Sequence, residues 1–372
     1  MLVYFIMLLA IALIYYFCDR SDYSENKKKR TFLIRSGILI VLIVGSRWEG
    51  YQFADTGMYV QNFDNSKKYG LGEYLYRVGR DRGYYLIVWC LARILPSSQW
   101  FIYFECALLI FSVFLFVYHM ADQPLLAVFL FLGTGIFSFY MSAFRQAFAF
   151  SFCLLSFLVL EKVGRGKRRW DILKLLVGTF LFYIATQFHM SAVVFIIALL
   201  GCLIKNQKIK IVTIVVAMIL IIVFRENLLS AANDVMDKEY EIESEFSMIG
   251  FMIQIIIFVF PMTLLCFVPP EKTFENEIVT RGMLHQEKQY YDLLSISIVG
   301  LVFYLLRIYM QGFERVAIYF TIAICALYSA VFNRTLNEEN QKTLTWVMCV
   351  LCGILFLWRA ASAGAFIFFW QK

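Results

Sequence analysis

Arg145 stands in the stretch FYMSAFRQAFAFSFCLL (139–155), inside a run of nearly forty residues with almost no other charge. A guanidinium in hydrocarbon is costly, so it marks either a site or a membrane boundary. Arg47, Arg307 and Arg315 flank other apolar runs in the same way. Arginine suits phosphate, because its planar fork makes bidentate, charge-assisted contacts and stays protonated at any working pH. Gathered together, these four arginines would surround a diphosphate group. Kept apart, they would snorkel and anchor helix ends, and Arg315 would pair with Glu314 or with another helix. His189, in TQFHMS (186–191), offers an imidazole that is neutral near pH 7, a general base or a donor to a phosphate. The plainer alternative is a hydrogen-bonded helix-end histidine. Glu49, Asp55 and Asp81, with Glu73 behind them, are carboxylates that would deprotonate a hydroxyl if held against it and would otherwise be solvated.

The elements that must position these groups follow from composition. The chain has 372 residues, 61% hydrophobic, 18% aromatic and 16% charged, with a mean hydropathy of +0.70. A soluble domain is nearer half apolar and a quarter charged, and 38 Phe with 22 Tyr cannot be hidden in one water-soluble core of this length. The composition predicts an all-α, polytopic integral membrane protein forming a single transmembrane domain over 1–372. Apolar runs long enough to cross a bilayer lie near 1–18, 31–46, 99–119, 125–141, 143–160, 171–187, 190–204, 209–224, 248–268, 290–308, 312–332 and 345–364, about twelve in all. The first run lacks a basic leader and a small-residue cleavage site, so it reads as a retained helix.

Orientation follows from Lys and Arg in short loops. The basic loops 19–30, 161–170 and 205–210 fall on one side, the cytoplasmic one, and place the N-terminus outside. That alternation requires YYLIVWCLARIL (84–95), which Pro96 ends, to be a short re-entrant or interfacial helix rather than a crossing. Loops 47–98 and 225–247, the latter holding the acidic segment 233–246, then lie outside. So do the tight turn around MSAFRQ, the break at TQFHMS and the turn in LLRIYMQGFERVAIYF (305–320). Four places therefore aim arginines, His189 and carboxylates at one face, while His119 and His285 fall on the cytoplasmic side.

The net charge of +7 is topological, since its cations lie in loops between apolar runs, and does not indicate nucleic acid. Cysteines fall mainly in apolar segments and act as small hydrophobes. CVLC (349–352) lacks the second pair a structural zinc wants and lies in a stretch expected to face lipid. Neither outer loop carries a D-x-D triplet, and no G-x-x-x-x-G-K-[ST] is present, so neither a metal nor a cofactor is expected.

SRWEGYQFADTGMYVQNF, RGYYLIVWCLARIL, FRQAFAFSFCLLSF, FHMSAVVFIIAL and RIYMQGFERVAIYF, in that order, resemble the EpsG family of bacterial exopolysaccharide proteins, which are Wzy-like polymerases. The family pattern of an Arg, a Gly and an Asp-x-x-x-Tyr matches Arg47, Gly50, Asp55 and Tyr59. Its Arg-Gln pair matches Arg145 and Gln146, its Phe-His and small residues match Phe188, His189, Ser191 and Ala192, and its late Arg-x-x-x-Tyr matches Arg315 and Tyr319. The family's Glu-x-Gly before the short helix is replaced by RDRGYY, leaving Asp81, or no residue, in that place.

The resemblance implies a polymerase in the bacterial cytoplasmic membrane that joins undecaprenyl-diphosphate-linked oligosaccharide repeats at the outer leaflet. It would work in the lipid bilayer, alongside a flippase and a chain-length regulator. Arg47, Arg145, Gln146, Arg307, Arg315, Tyr59 and Tyr319 would hold the diphosphate and sugars, and His189 or Asp55 would take the acceptor's proton. A transporter of the same lipid would instead spread charges through the membrane depth. A membrane O-acyltransferase would use a cytoplasmic histidine, and an interaction protein would tolerate loss of Arg145.

Overall fold

The computed structural model describes residues 1–48, 55–78, 81–164, 168–204, 206–224, 248–266, 281–309, 312–362 and 368, without the side chains of 281–286 and 362. Glu49, Gly50, the loop 225–247 and parts of the basic loops 161–170 and 205–210 lie outside the described residues, as does the side chain of His285. What is described is helical, with no strand and one isolated bridge between Arg47 and Phe368. The helices sort into two compact units, Met1–Val193 with Thr343–Lys372, and Val194–Lys342.

In the first unit, α1 (Leu2–Asp19) and α2 (Glu25–Gly45) precede three helices inside the region expected as an outer loop, α3 (Thr56–Ser66), α4 (Leu71–Val78) and α5 (Arg82–Ile94). The helix foreseen at 84–95 is α5. It is followed by α6 (Ser98–Met120), α7 (Pro124–Gly133), α8 (Ile136–Tyr140), α9 (Phe144–Leu160) and α10 (Arg168–Phe188). Proline opens α7 at the position where its missing N–H costs nothing. Gly135, at φ +88°, makes the break before α8 that a side chain would strain. Small residues let helices approach. Gly37 of α2 faces Ile110 and Phe114 of α6, and the Ser156 hydroxyl of α9 donates to the Gly178 carbonyl of α10 at 2.8 Å.

The second unit begins within a 3₁₀ turn (Met190–Phe195) and holds α11 (Ile196–Leu203), α12 (Gln207–Val223), α13 (Met248–Cys266), α14 (Arg281–Leu306) and α15 (Gly312–Thr335). Phe303 stacks on Phe320 across α14 and α15, with centroids 5.6 Å apart. The Asn206 side chain caps α12 by accepting from the N–H groups of Lys208 and Ile209 at 3.0 and 3.2 Å. Lys210 of α12 donates to Asp292 of α14 in a fully buried ion pair. A last helix, α16 (Glu338–Ser362), lies mostly in the first unit, where Phe356 meets Tyr4 edge-on at 5.5 Å. Cys349 and Cys352, expected toward lipid, are buried instead, because the Cys352 backbone packs against Gly133.

Seven helices among the described residues are long and apolar enough to cross a membrane: α1, α6, α10, α13, α14, α15 and α16. The other five runs expected to cross are helical but fall short of that measure. Helix α2 carries the cations of ENKKKR and Arg35 along its length, α12 has 17 residues, and α9 and the arms 124–140 and 190–203 are shorter or interrupted. The chain is a multi-pass helical membrane protein.

Candidate functional site

The turn over 141–143 separates α8 from α9 and puts Arg145 in the first turn of α9, half-buried. Its Nη1 donates to Asp81 Oδ2 at 2.7 Å, an ion pair across 64 residues of sequence. Asp81 is held at φ 49° and ψ 42°, a left-handed conformation that a non-glycine residue adopts only where its surroundings impose it. The Nε of Arg145 is buried and has no hydrogen-bond partner among the described residues. The guanidinium is held by Asp81 at Nη1 and by the neighbouring Tyr59 hydroxyl, and its Nε still has capacity for an acceptor.

Tyr59 of α3 lies beside this pair. Its ring stacks on Phe144 at 4.8 Å, 6° from parallel, and its hydroxyl lies beside the side chain and main chain of Arg145. Burial raises the Tyr59 hydroxyl's pKa above its ordinary value, outweighing Arg145, which pulls it down. Tyr84 of α5 sits edge-on to Tyr59 at 5.9 Å and to Phe148 at 5.5 Å. Its hydroxyl, buried without a hydrogen-bond partner among the described residues, is pushed well up by that burial, and burial raises Tyr85's as well.

On the other flank, the residue after Arg145 begins a relay. Gln146 Nε2 donates to Ser191 Oγ at 3.1 Å, and Ser191 Oγ lies 2.7 Å from His189 Nδ1. The backbone N–H of Ser191 also donates to that Nδ1, at 3.2 Å. Nδ1 is therefore an acceptor, and the neutral ring carries its proton on Nε2.

The two flanks close on each other where α5 meets α10. Gly83 lies so near Gln187 that a Cβ there would sit 2.5 Å from the Gln187 Cβ and 2.8 Å from its carbonyl oxygen. Gly83 is two residues from Asp81, and Gln187 two from His189. The links Asp81–Arg145, Gln146–Ser191, Ser191–His189 and Gln187–Gly83, joined by chain neighbours, form a closed ring in the first unit.

The structure thus brings together Arg145, Gln146, Tyr59 and His189 of the residues singled out from sequence. Asp55 is exposed at the start of α3, its carbonyl accepting from the Tyr59 N–H at 3.1 Å, with its charge close enough to oppose Tyr59's ionisation. Arg47 is buried, and its Nη1 donates to the Met141 carbonyl at 2.6 Å, while Nη2 is 3.6 Å from Glu105 Oε2. Arg307, Arg315 and Tyr319 belong to the second unit. There Arg307 Nε pairs with Glu314 at 3.0 Å, Arg315 is exposed on α15, and Tyr319 is buried 6.4 Å from Phe195. Glu314, weighed from sequence as a partner of Arg315, is paired with Arg307.

Sequence reasoning left out Glu105, Tyr84 and the contact at Gly83, and gave Asp81 no firm role. Glu105 was visible as the lone carboxylate in SQWFIYFECALLIFSVFLF (98–116); nothing in the sequence marks Asp81 as the partner of Arg145.

Comparison with known proteins gives one match: the model of the EpsG family aligns with residues 30–371 of this chain. No curated protein and no solved structure matches it.

Proposed function

This chain belongs to the EpsG family, and from that premise we propose that it polymerises undecaprenyl-diphosphate-linked oligosaccharide repeats at the outer leaflet of the bacterial inner membrane, by metal-independent glycosyl transfer. The observation that carries the reading is the ring of contacts holding Arg145 and His189 in the first unit. Its donors suit a diphosphate.

In this reading Asp81 orients Arg145 through Nη1, and the remaining guanidinium donors take phosphate oxygens of the donor lipid. Nε2–H of His189 adds a second donor, since Nδ1 is occupied by Ser191. The acceptor hydroxyl attacks the anomeric carbon. As that bond forms, the anomeric carbon–oxygen bond to the diphosphate breaks, and the leaving oxygen takes the electron pair. Arg145 and His189 stabilise the charge that develops there, usually the largest single contribution to catalysis. The hydroxyl proton goes to a carboxylate, for which Asp55, exposed and one turn before Tyr59, is the candidate. Arg307, Arg315 and Tyr319 of the second unit are proposed to bind the sugar chain. The N-terminus faces outward, and α2, α12 and the short helical arms at 124–140, 144–160 and 190–203 complete the crossings that the seven long helices begin.

Arg145→Ala should stop chain growth and leave single lipid-linked repeats to accumulate at normal protein level. Arg145→Lys should recover only part of the activity, because an ammonium cannot reproduce the fork. A labelled lipid-linked repeat incubated with purified protein, with products sized on a gel, reads both. Unchanged polymer length in Arg145→Ala would overturn the assignment.

A further inference from the structure

Glu105 lies in the third turn of α6, about 10 Å along the helix from its start at 1.5 Å per residue, with its side chain fully buried. Neither carboxylate oxygen has a hydrogen-bond partner among the described residues. The cation beside it is Arg47, 3.6 Å away, itself buried. Arg47 reaches in the other direction to the carbonyl of Met141 at 2.6 Å, and its guanidinium lies 5.7 Å from the centre of the Phe144 ring. Its main chain is pinned as well, since Gln99 Nε2 donates to the carbonyls of Gly45 and Arg47 at 2.6 and 2.8 Å.

These contacts converge on one short stretch. Met141 and Phe144 bracket the turn that delivers Arg145, and Phe144 carries the stacked ring of Tyr59. A buried ion pair adds no more stability than well-packed apolar side chains of the same volume. What Met and Leu could not do is grip a carbonyl at the end of α8.

We propose that Glu105 and Arg47 form a clamp on the 141–143 turn, Glu105 fixing the Arg47 guanidinium and Arg47 fixing the turn, so that both are positioning residues for Arg145. Arg47 is then a support of the site and makes no contact with the diphosphate. The catalytic consequence rests on the polymerase reading given above; the mechanical part does not.

The test uses the full-length protein in membranes, with the exposed native cysteines Cys90 and Cys266 replaced by Ser and a reporter placed in the turn by Ala143→Cys. A membrane-impermeant maleimide reads how tightly the turn is held. Glu105→Gln keeps the shape and removes the charge. The double variant Arg47→Met with Glu105→Met leaves no orphaned buried charge, so it reaches normal abundance even if Glu105→Gln does not. Labelling of position 143 should rise about tenfold in both, as local opening becomes easier, and polymer output should fall in parallel. Glu105→Asp, which restores the charge, should bring labelling most of the way back. Labelling that stays at the parental rate in both variants overturns the clamp, whatever the polymer does. Raised labelling with unchanged polymer upholds the clamp and defeats the polymerase reading of the site it supports.

Discussion

Gly83→Ala tests whether the ring of contacts is needed as a ring. The added methyl carbon would lie 2.5 Å from the Gln187 Cβ, 2.8 Å from its carbonyl oxygen and 3.1 Å from its carbonyl carbon. Carbon atoms rest at about 3.5–4.0 Å, so α5 and α10 must part by roughly 1 Å at this point. Two of the three obstructing atoms are main chain, which a rotamer change cannot clear. Overpacking of this kind costs about 1–3 kcal/mol, while replacing glycine by alanine in a helix returns about 1 kcal/mol. The net loss of stability is at most about 2 kcal/mol, and the protein should still accumulate. The chemistry should suffer far more, because a displacement of about 1 Å between catalytic groups can cost about a hundredfold in rate. Gly72→Ala supplies the control, since nothing lies within 4 Å of its added methyl. The assay is initial polymerisation rate with a labelled lipid-linked repeat, divided by the amount of protein in the membrane. Gly72→Ala should match the parent and Gly83→Ala should fall by one to two orders of magnitude. A Gly83→Ala protein that polymerises at the parental rate would show that Asp81–Arg145 and His189 work without being held together by α5 and α10.

Two more substitutions separate roles at the same site. His189→Gln keeps a side-chain N–H donor and loses the basic imidazole; it should retain a measurable rate where His189→Ala retains none, and equal loss in both would return His189 to the role of base. Tyr59→Phe keeps the stack on Phe144 and removes the hydroxyl beside Arg145, for an expected rate loss of about tenfold, the scale of one hydrogen bond to a charged group. Because burial raises the Tyr59 pKa above 10.0, the hydroxyl stays neutral through the working range. The stability tied to that neutral form is complete below pH 10 and lost only as pH climbs through the raised value. Parent and Tyr59→Phe should therefore show the same pH–rate limbs below pH 10, and a limb that disappears on substitution would show that Tyr59 titrates.

Helix existence was written into the chain, because apolar runs of this length and turns marked by MSAFRQ and TQFHMS leave few alternatives. Each of the twelve runs is helical over most of its described residues, but whether each crosses is a matter of charge and length, and the cations of α2 show how a run can look long while its apolar part is short. The single arginine at 145 announced itself by isolation; its partner did not. Asp81 lies 64 residues away, in a loop with other carboxylates, and periodicity orders side chains on one helix without saying which helix comes to meet them. Glu105 and Arg47 teach the same lesson from the other side. Arg47, read as a ligand because it borders a membrane, is buried, with Nη1 on a carbonyl and Nη2 beside a buried carboxylate. Arg145, which the sequence had already set apart, is instead half-buried and paired with Asp81, and the distinction between the two arginines is made by burial and by what each one holds rather than by where each stands in the chain.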